Sequence, residues 1–334
     1  MRKGDTTVAD YRFVDFTQVA DVVGQVTTLN LAAFAEYEGA PDLDESFTEW
    51  YLRRPGSTPQ LCVGVLHDDE LVSMVLVAIQ RVQVGGRLLD CGIIDSVATA
   101  PAHRRQGLAR TLMDIAHEKM QAAGADAGLL YTNPEDHPYG FYERLGYQTR
   151  AVCQMMEAAR PAQGGSLDVR VALPAEHATL AGMINDFYGA HEGFAPLDEK
   201  LWEWHKVDRP NDMRAELVVA EVGGEVAATC TWAETSLFLH GEDLAVASLA
   251  DFAYRAELCD GEDALRSLLA SASQGTVVCL IDKEDSLSAL YLDAGFKQAV
   301  SEVSMILPFS DSAHEAMAAQ PGPWYVMVES VIGM

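Results

Sequence analysis

The alternation of hydrophobic and polar positions predicts that the chain carries the same order of elements twice. In the first stretch, apolar residues at helical spacing are followed by three β-rich runs that form an antiparallel meander, with Gly85-Gly86 as one of its turns. The predicted elements of this stretch are a strand at 11–14, helices at 19–34 and 45–53, strands at 61–67, 71–83 and 88–99, a helix ending near 123, a strand at 129–132 and a helix at 139–145.

The second stretch repeats this order after a linker at 158–166, which contains Pro161, Gly164 and Gly165. Its predicted elements are a strand at 167–173, helices at 175–188 and 198–206, strands at 217–221, 226–239 and 245–254, a helix at 262–272, a strand at 277–281 and a helix at 286–294. We therefore expect two α/β domains of the order β-α-α-β-β-β-α-β-α-β, at residues 1–157 and 167–334.

Composition is consistent with an ordinary globular protein that has two cores. The chain has 334 residues, of which 49% are hydrophobic and 22% charged. Residues 1–5 turn polar, and no run approaches the roughly 18 apolar residues of a membrane span, so we expect a cytoplasmic protein without a leader or a span. Its six cysteines lack CxxC spacing and predict reduced core thiols.

Net charge narrows the range of partners. The chain carries −27, of which residues 1–150 contribute −8 and residues 151–334 contribute −19. Such a negative net charge disfavours binding to nucleic acids and to anionic membrane surfaces, because binding to either requires neutralisation of phosphates. It favours a cationic substrate such as an amine, although solubility alone explains the charge equally well.

The segment 97–110 contains the most informative pattern. Here a predicted strand leads through a loop with Gly107 to the first turn of a helix, whose free N–H groups and positive dipole end form an anion site. Gly107 and Ala109 lack bulk, so backbone amides can approach phosphate oxygens closely. Three arginines add positive charge at this point: Arg104, Arg105 and Arg110. The pattern predicts a site for a pyrophosphate.

The loop sequence R-R-Q-G-L-A at 104–109 resembles the Q/R-x-x-G-x-G/A signature of GNAT acetyltransferases. The preceding V-A-T-A-P at 97–101 and the later F-Y-E-R-L-G-Y at 141–147 match the same family at the expected separation, and the resemblance covers most of residues 8–157. It implies two tandem GNAT folds, each a mixed, mostly antiparallel sheet flanked by helices. It also implies an N-acetyltransferase that uses acetyl-CoA as cosubstrate.

The resemblance further implies where the cofactor binds. The pyrophosphate would meet the amides of residues 105–109, pantetheine would pair with the strand at 97–99, and the acetyl group would lie where that strand splays from 129–132. Asn133 is assigned to pantetheine, although the family's asparagine lies nearer the following helix, where Glu135 stands. The cofactor-binding residues are therefore Val97, Ala98, Thr99, Arg104, Arg105, Gln106, Gly107, Leu108, Ala109, Arg110, Asn133 and Tyr142.

Two side chains are candidates for proton transfer. An amine with a pKa near about 10.4 must lose a proton before it attacks a thioester, and Asp95, twelve positions before Gly107 on the expected face of Val97 and Thr99, could accept it. A structural carboxylate is the alternative, and Asp90 and Glu135 are weaker substitutes. Tyr142 resembles the family tyrosine that protonates the leaving thiolate; a core aromatic is the alternative for this residue.

Other kinds of catalytic site have little support in the sequence. His103, His117 and His137 are expected in loops or on helix surfaces in unrelated contexts, so we expect no metal. No Ser-His-Asp or Cys-His arrangement is legible, which favours direct transfer over a covalent acyl-enzyme.

The second half resembles the same family but lacks its basic loop. Residues 250–254 and 290–296 resemble the corresponding strand and helix, whereas the loop between them surrounds Gly261 with acidic residues that would repel a pyrophosphate. We therefore expect a degenerate second copy. The predicted function is acetyl transfer to a primary amine of a small molecule or peptide, with a non-catalytic acyl-CoA-binding regulatory module as the alternative.

Overall fold

A computed structural model describes residues 11–35, 44–210 and 213–327; the polar residues 1–5 lie outside these ranges. The described part of the first half forms the predicted order of elements. Its elements are β1 (Arg12–Asp15), α1 (Val22–Phe34), α2 (Glu45–Leu52), β2 (Val63–His67), β3 (Glu70–Val84), β4 (Arg87–Thr99), α3 (Leu108–Ala122), β5 (Ala127–Thr132), α4 (His137–Arg144) and β6 (Gln148–Ala159).

The second half repeats this order and adds one helix after its last strand. Its elements are β7 (Asp168–Val171), α5 (His177–Tyr188), α6 (Glu199–Trp202), β8 (Ala215–Val222), β9 (Glu225–Leu239), β10 (Glu242–Tyr254), α7 (Gly261–Leu269), β11 (Thr276–Asp282), α8 (Leu287–Asp293), β12 (Lys297–Pro308) and α9 (Asp311–Ala318). The helix predicted at 198–206 is shorter than expected, because α6 passes into one π-helical turn at Glu203–Val207.

The hairpin between β3 and β4 shows how local sequence fixes the meander. Gly85 and Gly86 have φ angles of 56° and 75°, which place both residues in the left-handed region that a two-residue hairpin of this twist requires. Val84 then pairs with Arg87 across the turn. The predicted antiparallel meander of β2, β3 and β4 is confirmed.

The interior strand β3 is apolar on both faces because helices cover both sides of the sheet. Leu76 belongs to the core cluster that includes Val26 of α1, whereas its neighbour Val75 belongs to the cluster that includes Leu112 of α3. Successive residues of a strand point to opposite faces, so α1 and α3 lie on opposite sides. The fold is therefore the predicted mixed α/β sheet flanked by helices.

The two halves exchange their last strands. All twelve described strands form one sheet of order β1-β2-β3-β4-β5-β12-β6-β11-β10-β9-β8-β7. Val303 of β12 pairs with Thr132 of β5, and Cys153 of β6 pairs with Asp282 of β11. The boundaries at 157 and 167 remain a prediction, and β6 continues to Ala159, opposite Thr276.

Candidate functional site

A cavity of about 910 Å³ opens where β4 and β5 diverge. The two strands pair in parallel from Cys91 and Ala127 to Ile93 and Leu129, and beyond these residues they follow separate courses. The splay expected from the sequence is therefore present. Its opening brings backbone and side chains of both strands to the same space.

A β-bulge in β4 shapes one wall of the cavity. Leu76 pairs with Asp95 and Met74 pairs with Ala98, so Ser96 and Val97 lie outside the ladder with β3, and Ser96 has a φ of 47°. The bulge interrupts the alternation that we expected for residues 95, 97 and 99. All residues from 94 to 99 line the cavity.

The loop after β4 presents an open helix terminus to the cavity. Gly107 has a φ of 78° and precedes α3, and no side chain caps the first turn of that helix. A Cβ atom built on Gly107 would meet no atom within 4 Å. Because the first N–H groups of an α-helix lack partners within the helix, this terminus fits an anion such as a diphosphate.

The three loop arginines have different environments. Arg104 donates from Nε to the carbonyl of Thr99 at 3.2 Å and from Nη2 to the carbonyl of Ala33 at 3.1 Å. It therefore ties the end of β4 to the end of α1. Arg110 lies 3.5 Å from Asp114, with both side chains about half exposed, and Arg105 is exposed.

Tyr142 lies on α4 and lines the cavity. The residue is buried, and burial, with a smaller contribution from the charge of Asp95, raises the pKa of its phenol well above the usual value. No described residue makes a hydrogen bond to its hydroxyl. The phenol therefore keeps its proton at neutral pH and has a donor available to a ligand.

Asp95 has a cationic partner that the sequence did not indicate. Its Oδ2 atom lies 3.0 Å from Nη1 of Arg54, and only 9% and 1% of the two side chains are exposed. Arg54 also donates to Tyr51 and Gln80, at 3.2 and 3.1 Å. The carboxylate is thus part of a buried polar network at the cavity. This agrees with the alternative interpretation of Asp95 as a structural carboxylate.

Most of the predicted site residues line this one cavity. Gln106 and Asn133 do not, and the side chain of Asn133 accepts a hydrogen bond from the amide of Glu135 at 2.9 Å within its own turn. The predicted residues that line the cavity are Asp95, Val97, Ala98, Thr99, Arg104, Arg105, Gly107, Leu108, Ala109, Arg110 and Tyr142.

Several other predictions concerned residues near the site. Asp90 and Glu135, the substitutes for Asp95, are exposed and do not line the cavity. His117 is not on the helix surface as expected; it is buried and lies 2.8 Å from the hydroxyl of Tyr147, and burial lowers the pKa of its imidazole. Within the described ranges, no group of three His, Cys, Asp or Glu side chains is placed to hold a metal ion.

The second half contributes residues that sequence reasoning missed. Phe238 and Asp243 come from the β9–β10 hairpin, and Glu302 comes from the exchanged strand β12. Tyr131 of β5 also lines the cavity. The acidity of the second half was the only sequence signal for Asp243 and Glu302, because the strand exchange that brings Glu302 here has no local signature.

The corresponding cleft of the second half is closed. β10 and β11 also diverge after a short parallel pairing, but the remaining space is only about 30 Å³ and is filled by residues such as Tyr188 and Trp324. Asp260 caps α7 by accepting hydrogen bonds from the amides of Glu262 and Asp263, at 2.9 and 3.2 Å. The anion site of α3 therefore has no counterpart here.

The segment before residue 328 connects this closed cleft to the open cavity. Tyr325 donates to Asp251 at 2.7 Å in the closed cleft, while the indole N–H of Trp324 donates to the hydroxyl of Tyr131 at 3.0 Å in the open one. The amide of Met327 also donates to Tyr131, at 3.3 Å. One short segment thus packs against both clefts.

Comparison with known proteins identifies a related domain and related folds. Residues 20–150 match the acetyltransferase (GNAT) domain family. An N-myristoyltransferase from Saccharomyces cerevisiae with bound myristoyl-CoA has a TM-score of 0.71 at 13% identity, over 90% of this chain and 83% of that one. A GCN5-related N-acetyltransferase from Anabaena variabilis has a TM-score of 0.64 at 12% identity, over 89% of this chain and 72% of that one.

No curated protein matches this sequence. Among the helices of the described ranges, none combines the length and the apolar character needed to cross a bilayer.

Proposed function

We propose that the chain is an acetyl-CoA-dependent N-acyltransferase that moves an acetyl group directly to a primary amine, because its residues 20–150 match the acetyltransferase (GNAT) domain family. One observation supports the proposal above all: the uncapped terminus of α3 and the side chain of Tyr142 line the same cavity. An anion site and a proton donor are the two features that transfer from an acyl-CoA needs of its protein.

In this proposal the amides of residues 105–109 bind the diphosphate, supported by the exposed guanidinium groups of Arg105 and Arg110. The pantetheine arm follows Val97 to Thr99, whose bulge frees backbone groups from the ladder with β3. Bound acetyl-CoA supplies an activated thioester, and the gap between β4 and β5 is where these residues would orient it.

Proton transfer is assigned to two groups. Tyr142 is the proposed donor to the leaving thiolate, since its buried phenol stays protonated at neutral pH. Asp95, directly or through water, is the proposed acceptor of the amine proton. Its ion pair with Arg54 favours a second candidate function, a non-catalytic acyl-CoA-binding module, because a paired carboxylate has a structural reason to be present.

Thiol release separates the two candidates. The purified full chain is mixed with acetyl-CoA and a panel of primary amines, free thiol is followed with a chromogenic disulfide, and products are identified by mass spectrometry. We expect thiol release that depends on the amine, with an acetylated product. Saturable binding of acetyl-CoA without release would support the binding module instead.

A further inference from the structure

The wall of the cavity that α1 and α2 form is mostly apolar. Its larger hydrophobic side chains are Leu31, Phe34, Phe47 and Leu52. Asn30 and Thr48 also line this wall, and Asn30 is the one carboxamide among the described residues around the cavity. Polar groups on an apolar wall are the points at which a site can recognise its ligand, so the partners of these two side chains matter.

The hydroxyl of Thr48 has partners within the protein. Its Oγ1 atom lies 2.6 Å from Oγ1 of Thr27 and 3.1 Å from the carbonyl oxygen of Asp44. Both threonines are buried, and their contact joins α2 to α1. The packing of the two helices therefore explains why Thr48 is polar.

Asn30 differs from Thr48 because its carboxamide oxygen has no partner. The residue is 5% exposed, and no described residue makes a hydrogen bond to Oδ1. A buried acceptor without a donor costs free energy that a hydrogen bond would recover. Asparagine is also a poor residue for the interior of a helix, and Asn30 lies well inside α1. Neither helix formation nor packing explains an asparagine at this position, whereas a ligand in the cavity would.

We propose, on the basis of the proposed acyltransferase function, that Asn30 selects the acyl acceptor, and that this acceptor carries a neutral carboxamide besides its reacting amine. A carboxamide is the best complement to Asn30, because it donates an N–H to Oδ1 and accepts a hydrogen bond from Nδ2. The hydrocarbon part of the acceptor packs against Leu31 and Phe34. A carboxylate or a second ammonium fits less well, since the described residues of α1 and α2 that line the cavity include no charged side chain.

Matched pairs of amines test this inference with the full-length protein and acetyl-CoA. Glycinamide, 3-aminopropanamide and 4-aminobutanamide are compared with 2-methylpropylamine, 3-methylbutylamine and 4-methylpentylamine, which have an isopropyl group in place of the carboxamide. For each pair the amide-to-alkyl ratio of kcat/KM is measured. We expect this ratio to be highest at the chain length that reaches Asn30. The N,N-dimethylamide of the same length has no N–H to donate and is expected to lose the advantage.

Asn30→Leu removes the carboxamide from the wall and keeps nearly the same shape. We expect it to lower the amide-to-alkyl ratio by about fivefold or more, which is the contribution of one ordinary hydrogen bond. The comparison of this ratio between wild type and variant cancels the different basicities of the amines. Asn185→Leu is the control, because Asn185 lies on α5 outside the cavity and its replacement should leave the ratio unchanged.

The same two variants separate a ligand-binding role from a structural role without an assay of activity. The carboxamide of Asn185 donates to the carbonyl of Leu197 at 3.1 Å and accepts from the amide of Leu197 at 2.8 Å. Asn185→Leu is therefore expected to lower the urea midpoint of unfolding. Asn30→Leu is expected to leave the midpoint unchanged or to raise it, because Oδ1 has no donor among the described residues and leucine is the better helix former.

Three results would overturn the role of Asn30. They are an equal amide-to-alkyl ratio in wild type and Asn30→Leu, a loss of stability in Asn30→Leu as large as that in Asn185→Leu, and faster reaction of the corresponding amino acid than of its amide. Release of thiol with any of these amines would still establish acyl transfer. Absence of thiol release with every amine would overturn the proposed function, and this inference with it.

Discussion

Trp50 and Trp204 stack face to face at the junction of the two halves, with ring centroids 4.5 Å apart and an interplanar angle of 5°. Each indole N–H donates to the backbone carbonyl of the other residue, at 2.9 and 3.0 Å. The contact is reciprocal because the two residues occupy similar places: Trp50 lies in α2, the second helix of the first half, and Trp204 lies in the π-helical turn that continues α6, the second helix of the second half. The repeat in the sequence is thus visible as an internal two-fold relation.

Cations flank this stack on both sides. Arg54 lies over the ring of Trp204 at 5.5 Å, and Arg209 lies over the ring of Trp50 at 4.8 Å. Arg54 is also the partner of Asp95. The guanidinium group of Arg54 therefore contacts both the tryptophan pair at the junction and Asp95 in the proposed active site.

Trp50→Phe is expected to lower the free energy of unfolding by about 1–3 kcal/mol, because the change leaves the buried carbonyl of Trp204 without its donor. Urea denaturation measures this loss. Trp202→Phe is the matched control, since the buried indole nitrogen of Trp202 has no hydrogen-bond partner among the described residues. Equal losses in the two variants would mean that ring volume, not the hydrogen bond, sets the cost.

Gly107→Glu is expected to abolish binding of acetyl-CoA. The substitution places a carboxylate at the helix terminus proposed for the diphosphate, at a backbone φ of 78° that disfavours side chains. Isothermal titration calorimetry is the measurement. Gly86→Glu, at a φ of 75° in an equally open position on a distant hairpin, is the control and should bind normally. Unchanged affinity of Gly107→Glu would remove the cofactor assignment.

Tyr142→Phe is expected to lower kcat by about 10²–10⁴-fold with little change in KM for acetyl-CoA, as for loss of a general acid. Burial raises the pKa of this phenol above the ordinary tyrosine value of 10.0. We therefore expect no loss of wild-type kcat from ionisation of Tyr142 at any pH below 10.0. Tyr139→Phe, on the same helix but outside the cavity, is the control. An effect confined to KM would assign Tyr142 to packing or ground-state binding.

Asp95→Asn tests whether this residue is a base or only a structural partner. Loss of its charge leaves Arg54 buried without this carboxylate, so we expect the variant to lose about 3–5 kcal/mol of stability, while Asp90→Asn at an exposed position loses almost none. If Asp95 also accepts the amine proton, the acidic limb of the kcat/KM profile disappears in the folded variant. An unchanged limb would leave Asp95 a purely structural role.

The full chain is expected to bind one CoA, not two. The terminus of α3 has no side-chain cap, whereas Asp260 already caps α7 and the adjacent cleft retains only about 30 Å³. A helix dipole contributes only about 0.3–1 kcal/mol at an exposed end and does not offset the nearby carboxylates. Titration should saturate near one equivalent. A stoichiometry of two would show that the second cleft opens.

The parts of the fold that follow local rules could be predicted from the sequence. The runs at 71–83 and 88–99 became β3 and β4, because apolar residues and the Gly85-Gly86 turn are signals within a few residues. The glycine loop before α3 was equally legible. In each case the residues that determine the structure are close together in the chain.

The exchanged strands and the partners of the site residues could not be predicted in this way. Periodicity shows which faces a strand has but not which strand lies beside it, so nothing in residues 297–308 indicates pairing with β5. Arg54 and Asp95 are 41 positions apart, and their contact depends on how α2 ends above β4. Asp243 and Glu302 reach the cavity only because the two halves form one sheet.

The exchange of β6 and β12 also limits how this protein can be divided. A polypeptide ending at residue 157 would keep β6 but lose its two neighbours in the sheet, and it would leave the inner edge of β5 unpaired, which is a surface prone to aggregation. The second half is therefore required as a strand donor even though its own cleft is closed. Substitutions can therefore close the second cleft without loss of the fold, whereas a protein without β12 would also lose the fold of its first half.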